Sequence, residues 1–161
     1  MNTMRSFFVT LGFIFAYVSA FAGNMTNCDL EMAEIGKAGT LVVKVWIYSK
    51  SRTVSNETLV KNAILGICFK GVSDNMSRRM NGVKPLVDGG YEQYETYFEE
   101  FMKTADLSHY VTIGLDGYVE QGDVIKMKKK YKVGRIVVIH LSDLRKRLEQ
   151  DGIIKSLTNG F

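Results

Sequence analysis

Thr40–Ser49 reads TLVVKVWIYS and Ser55–Gly71 reads SNETLVKNAILGICFKG, and the two different periods in these neighbours decide the fold. In the first, Val43, Val45 and Ile47 alternate with Lys44 and Trp46 in a segment dense in β-branched and aromatic residues, which predicts a strand. Its near-continuous apolarity predicts a central strand with both faces at least partly covered. In the second, Leu59, Val60, Ala63, Ile64, Ile67 and Cys68 fall on one stripe of a 3.6-residue helix, with Lys61, Asn62 and Lys70 on the other side. Ser55 is a good N-cap, Glu57 suits the positive end of the helix dipole, and Gly71 ends the helix.

Downstream, residues 72–90 show no period and hold the only proline, Pro85, with Gly82, Gly89 and Gly90. A loop of that length in a small domain is commonly functional or mobile. Tyr91–Met102 predicts a second helix, with Tyr91, Tyr94, Tyr97, Phe98, Phe101 and Met102 on one face and Glu92, Glu95, Glu99 and Glu100 opposite. The aromatic row predicts core rather than a sugar-stacking platform. His109–Leu115 alternates, Asp116-Gly117 marks a turn or bulge, and Gly122-Asp123 marks a hairpin turn. Val124–Leu141 is strand-like almost throughout but too long for one unbroken strand, with a bulge or bend expected at Gly134 and a central run Ile136–Ile139. Ser142 caps a last helix, Asp143–Gln150, and Ile153, Ile154 and Leu157 dock the tail. The order β-α-loop-α-β-β-β-α predicts an α+β two-layer sandwich, helices on one face of a largely antiparallel sheet. No repeat or linker divides it.

The N-terminus reads as a cleavable export signal. Arg5 precedes the uncharged run FFVTLGFIFAYV (Phe7–Val18), and Ala20 and Ala22 follow at the spacing a signal peptidase accepts. The run is shorter than the roughly 20 apolar residues that span a bilayer, so membrane association is expected to be peripheral at most. Cleavage near Ala22 removes 22 of 161 residues and leaves 139, residues 23–161, as a single exported domain. Loss of Arg5 lowers the net charge from +4 to +3, too small an excess to imply nucleic acid.

Export places Cys28 and Cys68 in an oxidising compartment, where one disulfide is the economical expectation, stabilising by roughly 3–4 kcal/mol in the chain-entropy model. Three glycosylation-type triplets occur, Asn24-Met25-Thr26, Asn56-Glu57-Thr58 and Asn75-Met76-Ser77; they matter only in a host that glycosylates exported asparagine.

No nucleophile elbow, zinc-protease helix, C-x-x-C, phosphate loop or dinucleotide fingerprint is present, and no cofactor or metal site is expected. His109 and His140 lie on segments that could be neighbours, with Asp143 close to His140. They either bind a metal or move protons, or are half-buried strand-end histidines, and the second is favoured. Lys126, Lys128, Lys130 and Lys132 alternate, which in a β conformation lines four ammonium groups on one face. Such a stripe either holds a polyanion or guards a sheet edge against aggregation.

The segment YKVGRIVVIHLSDLRKRLEQDGIIKSL, with the KNAILGICFKGV helix before it, resembles small exported domains of uncharacterised bacterial families. The strand–helix opening is similar to the periplasmic domains of curli-secretion lipoproteins and penicillin-binding-protein activators, although Cys28 lacks the small apolar residues that precede a lipidated cysteine. The resemblance implies a non-catalytic envelope role and assigns no residue. The expectation is an exported domain that binds an envelope protein or an anionic polymer, with a small envelope hydrolase using His109 or His140 as the alternative.

Overall fold

Cys28, Leu30 and Met32 alternate with Asp29 and Glu31, and Cys28–Glu34 forms strand β1, an element absent from the expected order. A computed structural model describes residues 27–34, 36–114 and 123–156. The export-signal reading, the Asn24 triplet, the Asp116-Gly117 turn, Gly122 and Leu157 lie outside them.

Strand β2, Leu41–Ser49, is central as its composition predicts, pairing antiparallel with β1 on one side. On its other side it pairs with Tyr131–Ile139, a long strand designated β5 from its place in the chain. Two short strands share the far edge of that long strand: β3, Val111–Ile113, against its C-terminal end and β4, Val124–Lys126, against its N-terminal end. The sheet is therefore antiparallel throughout, in the order β1-β2-β5-β3, with β4 beside β3. The strand-like stretch Val124–Leu141 is interrupted as its length requires, but by a turn before Gly134, where the Met127 amide donates to the Lys130 carbonyl at 2.8 Å. Gly134 is no bulge. It sits in register opposite Trp46, and a Cβ there would lie 2.6 Å from the indole, so the indole occupies the space a side chain would need.

Helix α1, Asn56–Phe69, starts where its sequence predicts, with the Ser55 side chain accepting from the Thr58 amide. It ends at Gly71, whose φ of 76° suits glycine. Gly66 lets α1 approach β1 closely, because a Cβ at that position would clash with the Leu30 side chain. The second helix is shorter than expected: a 3₁₀ turn at Tyr91–Gln93 precedes α2, Glu95–Thr104. Helix α3 spans Leu141–Gln150 and is N-capped by His140, without a side-chain cap, rather than by Ser142. All three helices contribute to one core with the inward residues of the sheet, among them Leu30, Val43, Val45, Ile64, Phe98, Val137 and Leu148. The expected α+β architecture is what the chain adopts.

The expected disulfide is absent: Cys28 and Cys68 are free, buried thiols. Helix phase explains this. The Cys28 thiol donates to the Asn62 carbonyl and lies beside Gly66, so it meets the Asn62/Gly66 side of α1. Cys68 is two residues beyond Gly66, roughly 200° around the helix, and points elsewhere.

The start of the 72–90 segment is hydrogen-bonded to the edge of β1. Bridges Val72–Val83 and Asn75–Met80 fold the segment back on itself. Ser73 donates its amide to Leu30 O (2.8 Å) and accepts from the Met32 amide, while Asn75 Nδ2 donates to Met32 O. The segment thereby covers a strand edge that would otherwise be open to pairing. The Leu86 and Val87 amides satisfy the carbonyls of Ile67 and Cys68 at the end of α1.

Candidate binding surface

Because the described helices lie on one face of the sheet, alternate residues of the same strands form a second face that none of these helices covers. It carries Asp29 and Glu31 from β1, Val42, Lys44, Trp46 and Tyr48 from β2, and Lys132, Gly134, Ile136 and Val138 from β5. Its polar groups are answered by neighbours. Trp46 Nε1 donates to Glu31 (3.3 Å), the Tyr48 hydroxyl to Asp29 (2.8 Å) and Lys44 Nζ to Asp123 (2.6 Å). The Asp29 hydrogen bond and its negative charge hold the Tyr48 hydroxyl above the ordinary phenol range. Asp123 is only 5% exposed, so its pairing with Lys44 ties β4 to β2 across the intervening strand.

The four-lysine stripe is not a single row. Lys126 pairs in register with Tyr131, on the helix side of the sheet. Lys128 lies in the turn. Lys130 and Lys132 stand on the open face over the Tyr48 ring, 4.6 and 5.6 Å from its centroid. The structure adds cations that the alternation did not point to. The register of Ser49 with Tyr131 brings the turn after β2 beside the β4–β5 turn, and Arg52 lies over the Tyr131 ring at 5.8 Å. Lys50, Arg52, Lys126, Lys128, Lys129, Lys130 and Lys132 thus gather at one end of the sheet. Among the described residues none of these seven forms a salt bridge. Ile125 and Met127, opposite Lys132 and Lys130, are 47% and 40% exposed between them.

The loop at 72–90 and these lysines lie on opposite sides of the sheet: the loop pairs with the outer edge of β1, and β2 separates β1 from β5.

His109 and His140 do come together. The His140 amide donates to Tyr110 O, and both imidazoles border an open cleft of about 590 Å³ with Ser108, Asp143, Lys146 and Arg147. His109 is not in a strand but in a 3₁₀ turn, Leu107–His109. Each ring has a partner: Thr112 Oγ1 lies 2.9 Å from His140 Nε2, and Asp106 Oδ2 lies 3.4 Å from His109 Nε2. The Ser108 hydroxyl donates to Asp106 at 2.6 Å rather than to an imidazole, and with the Ser108 amide it lowers the Asp106 carboxyl. Of the two hydroxyls near the imidazoles, Ser108 is turned away to Asp106, and Thr112 is the one within hydrogen-bond reach of a ring nitrogen, that of His140. No group of three or more His, Cys, Asp or Glu side chains among the described residues is placed to hold a metal ion.

The aromatic row of the second helix divides. Phe98 and Phe101 are buried, whereas Tyr91, Tyr94 and Tyr97 are half-buried against them. Tyr97 stacks on Phe101 and donates to Asp151, so its ring is committed to packing α2 on α3.

Comparison with protein-family models, with curated proteins and with solved structures found no match.

Proposed function

We propose that the chain is an exported, non-catalytic domain of the cell envelope that binds a protein or polymer partner through the basic end of its sheet. The observation that carries this reading is the cluster of seven cations on two adjoining turns and the strand ends beside them, none in a salt bridge among the described residues, flanked by exposed apolar side chains. Cations that meet no carboxylate among the described residues repel one another, so their concentration at one place supports an anionic partner. The export reading of residues 1–22 supplies the compartment.

Fractionation of bacteria expressing the full chain tests it. Wild type is expected in the envelope fraction, released by high salt, while Lys128→Glu/Lys130→Glu partitions with the soluble exported proteins and keeps its circular dichroism. A wild-type chain that is soluble throughout, or a charge-reversed variant retained equally, overturns the proposal. The second reading, a small envelope hydrolase using His109 or His140, is favoured by the cleft that the two imidazoles share. His109→Ala/His140→Ala in the same experiment separates the two sites: retention stays unchanged if the basic end makes the contact, and its loss moves the contact to the cleft.

A further inference from the structure

We infer that the partner at the basic end is an anionic lipid surface, and that the β4–β5 turn is the element that enters it. This rests on the binding role proposed above and adds the chemistry of the partner. Charge alone would suit any polyanion. What favours lipid is the apolar material placed among the charges. Met127 is 40% exposed between Lys126 and Lys128, and Ile125 is 47% exposed one register step away on the same face. A soluble polyphosphate or acidic glycan leaves those side chains in water. A headgroup layer takes up the apolar tip, while lysine stems lie along the boundary with their ammonium groups among the phosphates.

The base of the turn is held in place. The Gly134 amide donates to Asp123 O at 2.7 Å, Asp123 pairs with Lys44, and Lys132 lies over the Trp46 ring at 4.8 Å. The turn is thus presented on strands fixed beforehand, which lowers the ordering cost of docking. Lys50 and Arg52 on the neighbouring turn broaden the cationic end toward the breadth a flat anionic surface can meet. No helix among the described residues is long and apolar enough to cross a membrane, so the contact is of the surface kind.

The test is co-sedimentation of the processed chain, recovered from exporting cells, with vesicles of phosphatidylcholine alone or with about one-third phosphatidylglycerol, in low and high salt. Long-chain inorganic polyphosphate, followed by fluorescence anisotropy, is the soluble polyanion. Of the two kinds of vesicle, binding is expected only to the anionic one and to weaken in high salt, with weaker binding to polyphosphate. Each lysine removed from the turn costs roughly fivefold in affinity, so Lys128→Ala/Lys129→Ala loses roughly 25-fold. Met127→Ser, which leaves every charge in place, weakens vesicle binding roughly fivefold and leaves polyphosphate binding unaltered. Vesicle binding indifferent to Met127→Ser, binding to polyphosphate but not to vesicles, or binding unchanged in both variants overturns the lipid assignment. Salt-sensitive envelope retention without vesicle binding would leave the broader binding role standing and identify a polymer or protein partner instead.

Discussion

The two faces of the sheet are built from the same strands and differ in what holds them. On the helix side, Cys28, Leu30 and Met32, then Val43, Val45 and Ile47, then Val133, Val137 and Ile139 are all within 6% of complete burial. On the other side, alternate positions of those strands carry Asp29, Glu31, Lys44, Trp46, Tyr48 and Lys132, joined by side-chain hydrogen bonds and rings under ammonium groups. Apolar burial is worth about 25 cal/mol per Å², whereas exposed ion pairs and cation–ring contacts contribute from a few tenths to about 1 kcal/mol each. Stability therefore resides on one face. The other, apart from the Lys44–Asp123 pair that answers a buried carboxylate, can vary its side chains for a partner at small cost to the fold.

The sharpest way to break that contrast is Phe98→Ala. Phe98 is completely buried, with ring centroids 5.0 Å from both Phe69 and Tyr97 and 6.3 Å from Phe101. Its removal leaves a cavity where α2 meets α1, and a loss of about 3–5 kcal/mol is expected from chemical denaturation, with the slope of the transition unchanged. A loss under 1 kcal/mol would mean that α2 is not part of the core that α1 and the sheet share.

The elements that were legible in the sequence are those with a complete local period. Strand β2 and helix α1 each show enough turns of their pattern, and Ser55 and Gly71 enough end chemistry, to be placed nearly to the residue. Strand β1 carried the same period-two signal in Cys28, Leu30 and Met32, but Asp29, Glu31 and Glu34 gave it an acidic composition foreign to strands. The β4–β5 turn escaped notice because Lys128-Lys129 lacks the glycine or asparagine that normally marks a two-residue hairpin, and alternating lysines read equally well as one strand. The cysteine pairing failed on helix phase, which spacing along the chain does not determine. The basic end is a product of register: Lys50 and Arg52 lie more than seventy positions before the lysine run and meet it only because Ser49 pairs with Tyr131.

The free thiols give a second, smaller contrast between the faces. Burial is the main cause that pushes Cys28 from an ordinary 9.0 up to about 11, with Lys70 opposing and Asp29 adding; burial pushes Cys68 up further still. The folded chain thus keeps thiol protons at a pH where the unfolded chain releases them. The resulting stabilisation is complete below pH 9.0 and is lost as pH rises through about 11. A loss on the order of 2 kcal/mol per thiol, about 4 kcal/mol for the pair, is expected over that window from denaturation midpoints, and about half of it in Cys28→Ala. A thiol reagent at pH 8 is expected to label nothing in the native chain and both cysteines in denaturant. No labelling in denaturant would mean a bridge forms in the exported protein after all.

Ile136 on the open face measures the other end of the scale. It sits at the stretch of the β5 edge between β3 and β4, 37% exposed, next in sequence to a Val137 that is fully buried. Ile136→Thr keeps the β-branch that suits a strand and exchanges a half-wet apolar group for a hydroxyl that water can reach, so the change is expected to stay within about 0.5 kcal/mol. The prediction is informative because of its small size. A loss above about 2 kcal/mol would show that something covers this face in the native protein, and the surface assigned to a partner would then belong to the fold.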